Sequence, residues 1–216
     1  MGKASRRRAE HRARMAAPKT VSPVVRPLSH ADLPQAMHLL HGVVEQNDPK
    51  ALDLYLSEPS PANRFGLGLV AEVDEEVVGV VAGAGIRVLL PGLRVSGDEI
   101  TRRIGLLDVV AVHPDHRRKG IGTLLCDSLL DGFRRAGHRL VVTKLAAGRH
   151  DLVPIYSAWG WRVGEPGAGV AVEIGPHQVV IAEDLSARTA WTALTTKVRP
   201  IPSGLPGVSV VTGMFD

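Results

Sequence analysis

The chain has 216 residues, of which 44% are hydrophobic and 22% charged, a balance that suits one folded α/β domain and excludes a fibrous or wholly disordered chain. No apolar run approaches the roughly 20 residues of a membrane helix, and no signal peptide is evident. The single cysteine, Cys126, excludes an intramolecular disulfide framework. We therefore expect a soluble, reduced, cytoplasmic protein. The net charge is +6 over residues 1–20 and −2 over the other 196 residues, which argues against a nucleic-acid-binding surface on the folded part.

The chain opens with a basic segment. Residues 1–20 carry seven basic side chains and one acid. A run of this kind is typical of a solvated, disordered extension, and we predict such a tail. The alternative is a tail that contacts RNA, the ribosome or another acidic surface.

The first half of the folded part predicts strands and helices in alternation. A short β-branched strand at 24–27 precedes a helix over 29–45, whose first residues, Ser-His-Ala-Asp, have capping-box spacing. A second short helix is predicted at 49–56. The segments 68–73 and 77–82 flank an acidic turn and predict a hairpin.

The middle of the chain contains the clearest helix. Residues 88–100, with a proline and two glycines, predict an insertion, and the apolar run 104–112 predicts a buried strand. Apolar residues recur at spacings of three and four over 121–135, which predicts an amphipathic helix. Gly137 lies where a C′ glycine belongs.

The remaining segments are shorter. They predict a strand at 140–145, a helix at 151–158 and strands at 161–163 and 179–183, whereas the tract after Leu185 has no clear period. Alternation of strands and helices through the middle of the chain predicts a mixed α/β sheet.

The loop before the amphipathic helix carries the strongest chemical signal. Arg117, Arg118 and Lys119 are three consecutive cations at a helix N-terminus, where each costs about 0.3–1 kcal/mol unless an anion is present. Gly120 and Gly122 leave the N–H groups of the first turn open to close approach. Together these features predict a phosphate site. The alternative is a tight turn with solvent-facing cations, and both the Walker ending and the three-glycine dinucleotide pattern are missing.

At two places the chain resembles the GCN5-related N-acetyltransferase (GNAT) superfamily. The first is Val-Ala-Val-His-Pro at 110–114 with Arg-x-x-Gly-x-Gly at 117–122, which is similar to the family pattern Arg/Gln-x-x-Gly-x-Gly/Ala. The second is Ile-Tyr-Ser-Ala-Trp-Gly-Trp at 155–161, which resembles the family's aromatic-Tyr-x-x-x-Gly-Phe segment. Both occur in the family's order, and the dense resemblance covers 106–163.

The resemblance implies a fold and a domain arrangement. The fold is α+β, with a mixed, mostly antiparallel central sheet of about six or seven strands, flanked by helices and splayed at the central strands. A GNAT acetyltransferase domain would span 21–185, after the tail of residues 1–20. Residues 186–216 would form a C-terminal extension of unknown role, and because family members often dimerise, this segment could serve a homodimer contact.

The resemblance also implies acetyl-CoA as the donor. Backbone N–H groups of the loop would hold its pyrophosphate, the strand before it would pair with the pantetheine arm, and an amide at Val112 or its neighbour would stabilise the thioester oxyanion. The implied cofactor-binding residues are Val110, Ala111, Val112, Arg117, Arg118, Lys119, Gly120, Ile121, Gly122 and Thr123.

Two residues are the candidates for proton transfer. Tyr156 matches the position that protonates the leaving thiolate in many family members. Some members carry a Glu on the central strand, but the matching position here is Leu106. Asp108 lies two residues further on, on the same face of a regular strand, and is the candidate general base. Glu45 and His41, late in the first predicted helix, are the alternatives.

The implied reaction is direct acetyl transfer to a primary amine in a ternary complex. The acceptor could be a small amine, an aminoglycoside-like compound, a peptide N-terminus or a lysine, and no membrane partner is expected. The alternatives are an acyl-CoA-binding regulatory module without catalysis and an aminoacyl-tRNA- or ribosome-directed acetyltransferase, for which the tail would contact nucleic acid. No metal is predicted, since His38/His41 and His113/His116 have ligand-like spacing without a third ligand.

Overall fold

The computed structural model describes residues 22–41, 66–86, 97–174, 176–182, 184–204 and 206–215. The predicted basic tail, the helix predicted at 49–56 and most of the predicted insertion lie outside the described residues. Within them, no helix is both long enough and apolar enough to cross a membrane.

The described segments contain helices, strands and two 3-10 turns, at His30–Asp32 and Pro114–His116. The helices are α1 (Leu33–Leu40), α2 (Gly97–Arg103), α3 (Ile121–Arg135) and α4 (Leu152–Ala158). The strands are β1 (Val24–Pro27), β2 (Leu67–Val73), β3 (Glu76–Gly85), β4 (Ile104–Val112), β5 (Leu140–Ala146), β6 (Arg162–Pro166), β7 (Gly169–Ile174), β8 (His177–Ala182), β9 (Ala187–Ala193), β10 (Arg199–Ile201) and β11 (Val208–Thr212). The helix α2 occupies the end of the segment predicted as an insertion.

Seven strands form the central sheet in the order β1-β2-β3-β4-β5-β9-β6. Only the β4–β5 pair is parallel, and every other neighbouring pair is antiparallel. The predicted mixed, mostly antiparallel sheet of six or seven strands is therefore confirmed.

The parallel pair separates soon after it begins. Residues 104–106 of β4 pair with residues 140–142 of β5, and no further partners follow. Both strands nevertheless continue, β4 to Val112 and β5 to Ala146. The splay predicted at the central strands therefore begins after Leu106.

Strand β4 is irregular just beyond the point of separation. On its other edge Val109 pairs with Ala82, whereas Leu107 pairs with Gly83, so Asp108 is an extra residue opposite β3. Such a β-bulge bends the strand and increases its local twist. The bulge therefore removes the regular pleat on which the same-face prediction for Leu106 and Asp108 rested.

Helices cover both faces of the sheet. The helix α3 packs across β2, β3 and β4 on one face, and α1 packs on the opposite face against β3 and β4. Gly83 and Gly105 make room for Phe133 of α3, since a Cβ at Gly105 would lie 3.2 Å from its ring and one at Gly83 would overlap the Leu106 carbonyl. These glycines hold α3 close to β3 and β4.

A second sheet of four strands, in the order β10-β11-β7-β8, was not predicted. Its apolar side chains pack with Ile104, Leu140, Val142 and Trp191, on the face of the central sheet away from α3. The segment 186–216, predicted as a C-terminal extension, supplies β10 and β11 to this sheet. It also supplies β9, which lies between β5 and β6 in the central sheet.

A buried acid joins the first strand to the first helix. The Asp32 carboxylate accepts from the Ser29 N–H at 2.8 Å, which confirms the capping box, and its two oxygens accept from the Arg26 guanidinium at 2.7 and 2.8 Å. The hydrogen bonds from Arg26 hold the pKa of Asp32 well below its usual range. Only 5% of Asp32 is exposed.

Asp32→Ala is expected to lower the free energy of unfolding by roughly 2 kcal/mol. This value lies between the cost of losing a helix cap and the cost of breaking a buried ion pair. Because the native pKa of Asp32 lies below its unfolded value of about 3.9, its contribution is complete above that pH and is lost as the pH falls through the native pKa. Urea unfolding at neutral and acid pH measures both effects. Asp127→Ala, on the exposed face of α3, is the control, and an equal loss in both variants would contradict this account.

Candidate active site

One edge of β4 is open next to the splay. Val110, Ala111 and Val112 pair with β3 on one side, and no described strand pairs with their other side. Val110 and Val112 turn their half-buried side chains toward the core beneath α3, whereas Ala111 packs on the α1 face. An extended molecule with amide groups could therefore add to this edge as a strand would.

The predicted phosphate loop leads from this edge into α3. Helix α3 follows Gly120, and its first helical hydrogen bond runs from the Leu124 N–H to the Gly120 carbonyl at 3.0 Å. The N–H groups of Ile121, Gly122 and Thr123 precede that bond, so they have no acceptor four residues earlier in the helix. They are the donors that a helix N-terminus offers to an anion.

Three exposed cations surround these donors. Arg117, Arg118 and Lys119 all lie at the surface, and the first turn of α3 holds no acid. Among the described residues, no carboxylate forms an ion pair with these three side chains. Arg117 donates from Nε to the Val112 carbonyl at 3.0 Å, which ties the loop to the end of β4. The arrangement concentrates positive charge where the helix dipole is also positive.

Two residues of the loop adopt left-handed backbone conformations. Gly120 has φ +80°, which suits glycine, but Arg118 has φ +60°, which costs a non-glycine residue about 1–2 kcal/mol. Strained residues of this kind concentrate where a loop binds a ligand. The conformation at Arg118 therefore supports a binding role for the loop over a simple turn.

Tyr156 of α4 lies beneath the same face of the sheet as α3. It is 4% exposed, and its ring packs against the rings of Trp159 and Trp161, with centroids 5.1 and 5.5 Å away. Cys126 of α3 belongs to the same core cluster, and Thr143 of β5 hydrogen-bonds the Tyr156 hydroxyl. The ring is thus fixed on several sides.

The surroundings of Tyr156 favour its neutral form. Burial, together with the nearby Cys126, raises the pKa of the phenol above its usual range, and the hydrogen bond from Thr143 partly opposes that shift. Burial also raises the pKa of the Cys126 thiol to about 12. At neutral pH both groups keep their protons, so Tyr156 can act as a proton donor and Cys126 is not a nucleophile.

Trp159 connects Tyr156 to the phosphate loop. Its indole Nε1 donates to Thr123 Oγ1 at 2.9 Å, and a Cβ at Gly122 would lie 3.5 Å from its ring. The predicted acid and the start of α3 therefore lie on one face of the sheet and are joined by direct contacts.

The candidate base lies at the β4 bulge. Asp108 is exposed, and Leu106 is half-buried against the core cluster beneath the second sheet. His41, an alternative base, is exposed at the end of α1, and Glu45 lies outside the described residues. Within the described segments, no group of three or more His, Cys, Asp or Glu side chains could hold a metal ion.

Two side chains that contact the predicted site, Thr143 and Trp159, were not predicted from the sequence. Thr143 is a buried hydroxyl that follows three apolar residues of β5, a signal that could have indicated a polar partner on the neighbouring helix. Trp159 lies within the second motif, but its spacing alone indicated only packing. Its contact with Thr123 crosses 36 residues of sequence.

Comparisons with known proteins identify a family and a shared fold. The family model described as "Acetyltransferase (GNAT) family" matches residues 34–161, more than half of the chain. The comparison with curated proteins gave no match.

Several solved structures share the fold at low sequence identity. The GNAT family N-acetyltransferase YhbS from Escherichia coli, in complex with CoA, is 21% identical, covers 91% of this chain and 92% of its own, and superposes with a TM-score of 0.56. The ribosomal-protein-S18-alanine N-acetyltransferase from Escherichia coli is 15% identical, with coverages of 85% and 99% and a TM-score of 0.54. The PaiA N-acetyltransferase from Thermoplasma acidophilum, in complex with coenzyme A, is 14% identical, with coverages of 80% and 99% and a TM-score of 0.54.

Proposed function

Because the chain belongs to the acetyltransferase (GNAT) family, we propose that it transfers an acetyl group from acetyl-CoA to a primary amine by direct attack in a ternary complex. One observation carries the proposal. The open edge of β4, the cationic start of α3 and the buried phenol of Tyr156 adjoin one another on the α3 side of the splay.

The proposed donor site follows from these parts. The loop N–H groups and the cations Arg117, Arg118 and Lys119 would bind the diphosphate of CoA. The backbone of Val110 and Val112 would hydrogen-bond the amides of the pantetheine arm. Two of the similar folds described above are complexes with CoA, which supports this assignment of the donor.

The reaction needs one proton removed and one supplied. The neutral amine nitrogen attacks the thioester carbonyl carbon and forms a C–N bond, and negative charge develops on the oxygen, where an amide at Val112 or its neighbour would stabilise it. The C–S bond then breaks, and the sulfur leaves with the electron pair and takes a proton from the Tyr156 hydroxyl. The nitrogen loses one proton, Tyr156 regains one from solvent, and the products are the N-acetyl amine and the CoA thiol.

We assign the removal of the amine proton to Asp108, directly or through water. The position of Asp108 supports this role. The bulge leaves it exposed on β4, and the C-terminal end of β4 leads into the phosphate loop. Asp108→Asn is expected to lower kcat/KM for the amine by about 100-fold at neutral pH, the lower end of general-base effects.

The loss in Asp108→Asn should shrink as the pH rises, because more of the amine then arrives deprotonated. Initial rates between pH 7 and 10 measure the effect, because the pKa of an ordinary alkylamine is about 10. Asp131→Asn is the control at an exposed acid of α3. A rate unchanged by Asp108→Asn would reassign the base.

The acceptor is a primary amine of a small molecule or a peptide. One similar fold is described as a ribosomal-protein-S18-alanine N-acetyltransferase, which makes peptides with a free N-terminus the first class to test. Small amines, aminoglycoside-like compounds and lysine peptides follow, and aminoacyl-tRNA completes the panel as the substrate of the nucleic-acid-directed alternative.

The deciding experiment mixes the purified protein with acetyl-CoA and each member of the panel and follows free thiol. Thiol release that depends on an amine, with an equal amount of acetylated product, supports the proposal. Tight binding of CoA without turnover on any amine would favour the acyl-CoA-binding module. Turnover only on aminoacyl-tRNA would favour the nucleic-acid-directed alternative.

A further inference from the structure

Trp159 contacts two separate parts of the proposed site. Its indole N–H donates to Thr123 Oγ1 at 2.9 Å, in the first turn of α3. Its ring lies 5.1 Å from the Tyr156 ring, centroid to centroid, at a tilt of 58°.

The contact with Thr123 has a chemical direction. An indole N–H can only donate, whereas a hydroxyl has one proton to donate and lone pairs that accept. Since Thr123 Oγ1 accepts from Trp159, its own proton points elsewhere. Thr123 is exposed in the first turn of α3, where the free N–H groups lie, so this proton is available to a phosphate oxygen.

The contact with Tyr156 restricts the phenol. Trp161 packs on the same ring with its centroid 5.5 Å away, at an interplanar angle of 81°. Trp161 is 3% exposed and belongs to the core, whereas Trp159 is half-buried on the side of the loop. Trp159 therefore completes a pair of indoles that holds the Tyr156 ring, and does so from the side nearer the loop.

We propose that Trp159 is a positioning residue that couples the phosphate loop to the acid: its N–H orients the Thr123 hydroxyl toward the donor's diphosphate, and its ring fixes Tyr156. This inference rests on the proposed function. A purely structural Trp159 would also pack on Gly122 and Tyr156, but would have no selective effect on the diphosphate part of the donor.

A donor that lacks the diphosphate distinguishes the coupling role of Trp159 from a purely structural role. Trp159→Phe keeps an aromatic ring and removes the N–H. The Kd of this variant for CoA is expected to rise roughly fivefold to tenfold, which corresponds to the loss of one hydrogen bond. Its affinity for pantetheine, which has no diphosphate, should not change. Trp159→Leu also removes the ring and should lower kcat roughly tenfold or more with both acetyl-CoA and S-acetylpantetheine.

A double-mutant cycle tests the route through Thr123. Thr123→Val should weaken CoA binding as much as Trp159→Phe does, and the double variant should lose little more, since both changes remove one interaction. Thr123→Ser keeps the hydroxyl and should bind CoA like the unchanged protein. Thr123 is exposed, so these variants are expected to fold even if a change at Trp159 destabilises the core.

Isothermal titration calorimetry with CoA and pantetheine measures these effects without an acceptor. Trp191→Phe, in the core cluster beneath the second sheet, is the matched control and should leave both affinities unchanged. The coupling role is wrong, while the proposed function stands, if Trp159→Phe binds CoA normally or loses affinity for CoA and pantetheine equally. It is also wrong if the losses of CoA affinity caused by Trp159→Phe and Thr123→Val add fully in the double variant. If the unchanged protein does not bind CoA, both fail.

Discussion

Tyr156→Phe should lower kcat for acetyl transfer by roughly 100- to 10,000-fold, the usual contribution of general acid–base catalysis, with little change in the affinity for CoA. The substitution removes one hydroxyl and leaves the ring packed between Trp159 and Trp161. Without the hydroxyl, the sulfur must leave as an unprotonated thiolate. The proton donor is therefore lost while the binding surface of the loop stays intact.

Thiol release under saturating acetyl-CoA and amine gives kcat, and calorimetry gives the affinity for CoA. Tyr55→Phe, at the only other tyrosine of the chain, is the control. Because burial raises the pKa of Tyr156 above its usual value of about 10, its deprotonation should cause no fall in rate below that pH. A Tyr156→Phe enzyme with normal kcat would assign protonation of the thiolate to water or to another group.

Neutralising the loop should have opposite effects on binding and stability. In the variant Arg117→Gln, Arg118→Asn and Lys119→Gln, affinity for CoA is expected to fall about 100-fold or more, since each charged hydrogen bond to a phosphate contributes about 1.5–3 kcal/mol before solvent screening. Asn is chosen at Arg118 because it tolerates the left-handed φ of +60° there. The loop backbone is thus retained.

The free variant should meanwhile unfold at the same or a slightly higher temperature. Three cations at the positive end of α3 repel the helix dipole by about 0.3–1 kcal/mol each, and their removal relieves that repulsion, which offsets the loss of the exposed hydrogen bond from Arg117 to the Val112 carbonyl. Calorimetry with CoA at low and high salt, together with thermal unfolding, measures both effects. Arg135→Gln, in the last turn of α3 where a cation is favourable, should leave CoA affinity unchanged. Normal CoA binding by the loop variant would contradict the phosphate assignment.

Features that depend on neighbouring residues were predictable. The capping box at Ser29 and Asp32, the apolar face of α3 and the cationic loop before it are each formed by one short stretch of chain, whose backbone preferences and spacing are visible in the amino-acid order. The loop's chemistry also follows from local causes, because a helix N-terminus presents free N–H groups whatever the rest of the fold does. Its role in binding CoA remains a prediction.

Features that depend on distant residues were not predictable in the same way. The bulge at Asp108 exists only relative to the partners on β3. Cys126 of α3 is 1% exposed because α4 and the sheet cover it, which the order of residues in α3 alone does not show. The contact between Trp159 and Thr123 likewise needs α4 to lie against the start of α3.

The C-terminal third shows the difference most clearly. Residues 169–182 and 199–212 contain short strands that cannot be stable alone, since two-stranded units need another layer to bury their apolar side. Of their four strands the sequence predicted only the one near 179–183, and the tract after Leu185 showed no clear period. Parallel pairing of β7 with β11 and packing over Trp191 join segments far apart in the chain. Amino-acid order was sufficient for most of the helices and strands between residues 24 and 163, because these are governed by contacts within a few residues. Which strands became neighbours, and which side chains surround Tyr156, was settled by burial of apolar surface between distant segments, a property of the whole folded chain.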